Sequence, residues 1–155
     1  MNDLHLTRLS PADASALSVL LTADDNDYKQ YFIPFPTDIK SLEERLTSVR
    51  EDRYWGIWFD GALAAFFMMR GFDEGYQRPS FGVYTARAYS GKGLSRFALD
   101  YCMSWCRMNN IAAVMLKVHP DNRYARQTYE KAGFIVIDTC PRTGHKIMEK
   151  SWRKS

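Results

Sequence analysis

Apolar residues recur along this chain with two periods, and the changes of period mark out its elements. Leu4 to Leu9 alternates weakly, as an opening strand would. Ser10-Pro11-Ala12-Asp13 then reads as a helix start, with a serine cap, proline at the first helical position and an acid three residues after the cap. That helix is expected to run to about Leu21. Ile39, Leu42, Leu46 and Val49 fall on one face of a second helix. The segment between them, 27–36, is aromatic-rich, broken by proline and too apolar for a plain solvent loop. Tyr54–Phe59 and Ala62–Met69 form a hairpin about Asp60-Gly61, and the unbroken apolar run of the second arm predicts a strand covered on both faces. Ser80–Ala86 reads as a further strand. Leu94–Met108 is the clearest helix, with Leu94, Phe97, Ala98, Tyr101, Cys102 and Trp105 in one apolar stripe. Ile111–Val118 is a buried strand, Asn122–Ala132 a short helix ended by Gly133, and Phe134–Thr139 and His145–Trp152 are two last strands.

The order β-α-α-β-β-β-α-β-α-β-β predicts an α/β fold with a mixed central sheet of about seven strands and about four helices. Crossovers around the helices at 94–108 and 122–132 predict parallel neighbouring strands. A length of 155 residues, 46% of them hydrophobic and 25% charged, suits one globular domain over 1–155. The net charge of +3 suits an anionic small ligand and is too small to argue for nucleic acid. The three cysteines cannot all pair, and Cys102 and Cys106, four apart on a helix, read as packing. No histidine stands at ligand spacing beside them, so no metal site is expected. The first residues do not form a signal peptide, and no apolar run approaches the ~18 residues of a membrane span. These features predict a soluble, cytoplasmic protein with no membrane partner.

Ser90-Gly91-Lys92-Gly93-Leu94-Ser95 lies between a strand and the strongest helix. Glycines there leave backbone N–H groups uncovered, and the helix start adds a positive dipole end that suits phosphate oxygens. Two familiar nucleotide motifs nevertheless fail. A P-loop needs glycine at 86 and Ser or Thr at 93, where Ala86 and Gly93 stand; the dinucleotide fingerprint needs glycine at 96, where Arg96 stands. About 30 residues on, Asn122, Ala125, Tyr129, Lys131, Gly133 and Phe134 fall at the spacing N-x-x-A-x-x-x-Y-x-K-x-G-F. In these two motifs and their order the chain resembles the GCN5-related N-acetyltransferase (GNAT) family. The sharp matches cover residues 83–95 and 118–134, and the element order extends the likeness over nearly the whole chain.

The resemblance implies a GNAT fold and acetyl transfer from acetyl-CoA to a primary amine, with no metal. It places the coenzyme A pyrophosphate on the backbone of Ser90, Gly91, Lys92, Gly93, Leu94 and Ser95. The family pattern Gln/Arg-x-x-Gly-x-Gly/Ala is met at Gly93, while Ser90 and Ser95 depart from it. Ser90 keeps a hydroxyl donor in place of a longer side chain, and Ser95 adds little bulk. Val83, Tyr84 and Thr85 match the strand whose backbone pairs with the pantetheine arm. Asn122 matches an asparagine that hydrogen-bonds the cofactor, and it equally suits a helix N-cap. Tyr129 matches the general acid for the leaving thiolate, being protonated at neutral pH with a phenol pKa of about 10; it also suits plain packing on an apolar helix face.

The acceptor implied is a small molecule such as an amino sugar, nucleotide-linked or not, a polyamine or an amino acid. A protein or peptide amine, or a non-catalytic coenzyme A-binding member of the fold, are the alternatives. Tyr28, Tyr31 and Phe32 are the expected acceptor-binding aromatics, and they, like Phe35, Trp55 and Trp58, suit either that groove or the core. Asp73, Glu74 and His119 are the bases nearest the expected site, and no spacing marks any of them. An exposed final strand is compatible with a homodimer.

Overall fold

A computed structural model describes residues 1–25 and 35–152. Its elements are β1 (Leu4–Arg8), α1 (Ala14–Ala23), α2 (Ile39–Ser48), β2 (Arg53–Phe59), β3 (Ala62–Arg70), β4 (Ser80–Thr85), α3 (Leu94–Met108), β5 (Ala113–Val118), α4 (Arg123–Lys131), β6 (Ile135–Thr139) and β7 (Lys146–Ser151). One seven-stranded sheet runs in the order β1-β2-β3-β4-β5-β7-β6. Every neighbouring pair is antiparallel except β4 and β5.

Local chemistry explains the boundaries. The Asp13 carboxylate accepts from the Ser10 N–H at 2.8 Å, which starts the first helical turn. Asp38 caps α2 by accepting from the Ser41 N–H at 3.0 Å. Asp60 and Gly61 both take positive φ, 50° and 76°, the geometry a tight two-residue hairpin needs. The second arm of that hairpin, β3, is buried along nearly all its length, as a strand covered on both faces must be.

Two cores flank the sheet. On one face α1 and α2 close over β2, β3 and β4, burying Leu17, Leu21, Leu42, Leu46 and Phe66. On the other, α3 covers a core that includes Phe67, Met69, Leu99, Leu116 and Met148. No residue of β5, β6 or β7 belongs to the first cluster. Among the described residues, the α1/α2 core therefore covers the first half of that face of the sheet and does not reach the second.

Three expectations need correcting. Phe97 is 45% exposed, and the buried face of α3 is Leu94, Ala98, Leu99, Cys102, Met103 and Cys106, rotated from the expected stripe. Ile39 is likewise exposed on α2. The crossover through α4 does not make neighbours of β5 and β6, because the β6–β7 hairpin folds back and inserts β7 between them. Only β4 and β5 are adjacent parallel strands.

Candidate active site

The β4–β5 seam is the least paired junction in the sheet. The two strands are bridged only at Ser80↔Met115, where the Met115 N–H donates to the Pro79 carbonyl at 3.0 Å. By contrast β3 and β4 pair without a shift from Arg70↔Ser80 to Ala65↔Thr85. That regular ladder fixes which backbone groups face the seam. The Ala86 N–H donates to Ala64 on the β3 side, and successive residues of a strand turn their N–H and C=O to alternate edges. Val83 and Thr85 therefore direct their N–H and C=O toward β5, beyond the last bridge, while Tyr84 directs its own toward β3. The Tyr84 hydroxyl donates to Asp24, which also accepts from the Arg87 N–H.

The glycine turn stands just beyond the C-terminal end of β4. Gly91 and Gly93 take φ of 75° and 87°, and a Cβ on either would meet nothing within 4 Å. Gly93 caps α3 with no side-chain hydrogen bond, so the first backbone N–H groups of α3 lie at an uncrowded concavity. The Ser95 hydroxyl lies 3.0 Å from that of Thr85, clasping helix start to strand end. The Ser90 hydroxyl donates back to the Arg87 carbonyl at 2.9 Å. Arg96 pairs with Asp100, whereas Lys92 is exposed beside the turn.

Tyr129 is placed by the cap that ends α4. Gly133 takes φ of 98°, its N–H donates to Glu130, and the Phe134 N–H donates to the Tyr129 carbonyl at 3.0 Å. The Phe134 ring packs 5.9 Å from that of Tyr129, the apolar contact that accompanies such a left-handed cap. The Tyr-x-x-x-Gly-Phe part of the motif is thus a physical unit that sets the direction of the tyrosine. Its ring also meets Phe81, one residue past the Ser80 bridge, edge-on at 6.4 Å. Burial pushes the phenol up to about 12, so it is a protonated donor at any physiological pH. Asn122 caps the start of α4, its Oδ1 accepting from the Ala125 N–H at 3.2 Å.

On the opposite face of the seam lies a cleft of about 480 Å³. Its floor follows from strand alternation, because Met68 and Arg70, Ser80 and Gly82, and Met115 and Lys117 point to one face of three successive strands. Its wall is the β3–β4 connection, which contributes Glu74, Tyr76 and Arg78. A Cβ at Gly82 would come within 2.6 Å of the Met68 methyl, so the glycine leaves that side chain its place beside the seam. Arg78 is ion-paired to Glu149 on β7.

Arg70, Arg78, Tyr76 and Lys117 were not anticipated, since they lie far apart in sequence and carry no motif. Tyr28, Tyr31 and Phe32 lie outside the described residues. Trp55 is core, packed on Phe67, Tyr101 and Trp105, and Phe35 packs on Tyr54 and Phe66 beneath Arg45. The Trp58 indole donates to the Thr7 hydroxyl at 2.7 Å. Asp73 accepts backbone N–H groups from Arg50, Glu51 and Asp52, a clamp on the turn after α2. His119 accepts from the Asp121 N–H through Nδ1 and stacks edge-on with His145.

The pattern of the Acetyltransferase (GNAT) family matches residues 20–134, taking in β4, the glycine turn and all of α4. The chain belongs to the GNAT acetyltransferase family. No curated protein matches the sequence significantly. Solved GNAT structures share its fold from end to end. PaiA N-acetyltransferase from Thermoplasma acidophilum, in complex with coenzyme A, is 20% identical with a TM-score of 0.74, over 97% of this chain and 99% of that one. The ribosomal-protein-S5-alanine acetyltransferase of Vibrio fischeri is 14% identical with a TM-score of 0.78, over 96% and 92%. The spermidine/spermine N-acetyltransferase SpeG of Vibrio cholerae is 17% identical with a TM-score of 0.74, over 96% and 95%. At these identities the likeness is one of fold, and the relatives' acceptors differ from one another. Among the described residues no helix of this GNAT protein is long and apolar enough to cross a membrane.

Proposed function

We propose that this GNAT protein transfers an acetyl group from acetyl-CoA to the primary amine of a small molecule. The observation that carries the reading is the seam: two parallel strands bridged at one end, with an uncrowded glycine turn at the other. Acetyl-CoA, when bound, supplies an activated thioester at the seam. Backbone N–H groups of Leu94 and Ser95, with Gly91, Gly93 and the Lys92 ammonium, bind pyrophosphate at the start of α3. Ser90 contributes backbone, its hydroxyl being engaged with Arg87. Val83 and Thr85 offer N–H and C=O to the pantetheine amides as an added strand would, and one of these N–H groups holds the charge that develops on the carbonyl oxygen. Asn122 turns its carbonyl oxygen to its own helix, which leaves its amide N–H for the cofactor.

Tyr129 donates its proton to the leaving sulfur. Its raised pKa makes it a weak acid, suited to a thiolate of pKa near 8–9 only as full negative charge forms there. On the other face Glu74 is the one carboxylate among the described residues that line the cleft, and it takes the proton that the amine must shed before attack. The C–N bond forms as the C–S bond breaks: one proton leaves the ammonium through Glu74 before attack, Tyr129 gives one to the sulfur, and the second proton shed by the acylated nitrogen restores Tyr129. Asp73 has no such role, because its oxygens already accept three backbone N–H groups. The three unpaired thiols accord with work in the reducing cytoplasm.

Titrating acetyl-CoA while following heat and melting temperature tests the donor half. A ligand that binds only the native protein adds about 2.7 kcal/mol at a hundredfold excess over Kd. Saturable one-to-one heat with a clear rise in melting temperature is expected. No heat and no shift at millimolar acetyl-CoA would refute the reading.

A further inference from the structure

Resting on that reading, we infer that the acceptor carries an anionic group, a carboxylate or a phosphate, beside its amine, and that Lys117 and Arg70 bind it. The register places the relevant side chains in rows across the sheet. Arg70, Ser80, Met115 and Glu149 form one row through successive strand pairs. One step along, Met68 pairs with Gly82, and across the seam Lys117 pairs with Ile147. Lys117 thus stands on the acceptor face directly opposite Gly82, the position that lacks a side chain, at the point where the strands have begun to part.

The charges in this cleft are unequal. Among the described residues that line it, Arg70, Arg78 and Lys117 face a single carboxylate, Glu74. Arg78 is taken up by Glu149 and is fixed further by a contact from its guanidinium to the Met115 sulfur at 3.7 Å. Arg70 lies over the Phe35 ring and near the buried Asp52. Among the described residues, no carboxylate comes within ion-pair distance of either Arg70 or Lys117. Lys117 is exposed.

A cleft with two such cations and one carboxylate matches a ligand of the reverse pattern, one ammonium and at least one anion. It is a poor match for a polyamine, whose several ammonium groups would meet Arg70 and Lys117 with like charge. The floor of Met68, Met115 and Ile147 accommodates a short apolar stem between the two charged ends.

The test uses the purified chain with acetyl-CoA and amines in matched pairs: β-alanine with its amide, glucosamine 6-phosphate with glucosamine, and spermidine as the polycation. At least one anion-bearing member is expected to show kcat/KM tenfold or more above its neutral partner, with the difference in KM. Lys117→Gln and Arg70→Gln should bring that ratio toward one, and Lys117→Arg should restore it. Acetyl-CoA affinity should be unchanged in all three. Calorimetry of the same pairs without donor gives a readout independent of transfer, and there too the anionic member should bind tenfold tighter. Preference for spermidine or for the neutral members, or a ratio that neither variant alters, would overturn the inference. Loss of acetyl-CoA binding by the wild type would instead overturn the acetyltransferase reading, and the calorimetric pairs would still decide whether the cleft selects anions.

Discussion

The two faces of the β4–β5 seam are built of different materials. The face proposed for the donor is largely backbone and neutral side chains, with the Lys92 ammonium beside them: strand edge groups of Val83 and Thr85, the turn from Ser90 to Gly93, and Tyr129 held by the cap at Gly133. The face proposed for the acceptor is charged side chains, with Arg70, Glu74, Arg78 and Lys117 standing around an apolar floor. Backbone recognises what is invariant, and every acetyl-CoA molecule offers the same amides and phosphates. Side chains recognise what varies, since an exchange of one charged residue alters the pocket without disturbing the sheet. The difference teaches that the two halves of the reaction can be broken separately.

The largest separation is expected from Tyr129→Phe. Removal of a positioned general acid costs about 10²–10⁴ in rate, and the phenyl ring keeps the contacts with Phe81 and Phe134. Steady-state kinetics should show that loss in kcat, while calorimetry finds acetyl-CoA affinity within about twofold of wild type. Unchanged kcat would return Tyr129 to a packing role.

Glu74→Gln should cost less, about 10² in kcat/KM. Its neighbour is the control. Asp73→Asn keeps an oxygen acceptor for the backbone and should leave kcat/KM nearly unaltered. Equal losses in the two variants would show that the connection matters only for its shape.

These contrasts bear on how much was visible in the sequence. The donor face is compressed into two contiguous stretches, so glycines, helix start and capped tyrosine stand at fixed spacings and can be read in a line. The same holds for the Asp60-Gly61 hairpin and for the element order. The acceptor face is assembled by register: Met68 meets Gly82, Ser80 meets Met115, and Lys117 meets Ile147 only once the strands have paired. No spacing between Arg70 and Lys117 encodes that meeting. Aromatic density left groove and core both open for a related reason, because Trp55 and Phe35 are as apolar in a core as in a groove and only packing separates the two. The insertion of β7 was likewise a choice between two hairpin placements with the same local pattern.

A smaller effect, on stability, tests whether the cap holds the donor face in place. Gly133→Ala puts a side chain at φ 98°, where its Cβ would also meet Lys150 at 3.4 Å. The left-handed conformation costs an L-residue about 1–2 kcal/mol, and a melting temperature lower by roughly 2–8 °C is expected. Gly61→Ala carries similar strain in the distant hairpin, where a Cβ would meet nothing within 4 Å. Both should lower the melting temperature, but only Gly133→Ala should lower kcat, by turning Tyr129. A kcat loss of the same size in Gly61→Ala would mean that general destabilisation, not tyrosine placement, is being measured.

The smallest effect expected lies at the foot of the acceptor wall. Asp73→Ala removes the acceptor of the Arg50, Glu51 and Asp52 N–H groups and should cost about 1 kcal/mol, since the group is largely solvated. Partial desolvation opposes ionisation of Asp73, but the backbone donors outweigh it and hold its carboxyl below the usual carboxylate range. A group with a lowered folded pKa contributes stability that is complete above its unfolded value, near 3.9, and is lost as pH falls through the folded value. Burial raises Asp52, with the Asp73 charge adding to it, so that residue works in the opposite sense and favours the fold as pH falls. The melting difference between wild type and Asp73→Ala should therefore be constant above about pH 5 and shrink below pH 4. A difference that persists undiminished at pH 3 would show that the backbone turn is held by packing and not by the ionised carboxylate, and the wall that carries Glu74 would then owe its position to Phe72 and not to Asp73.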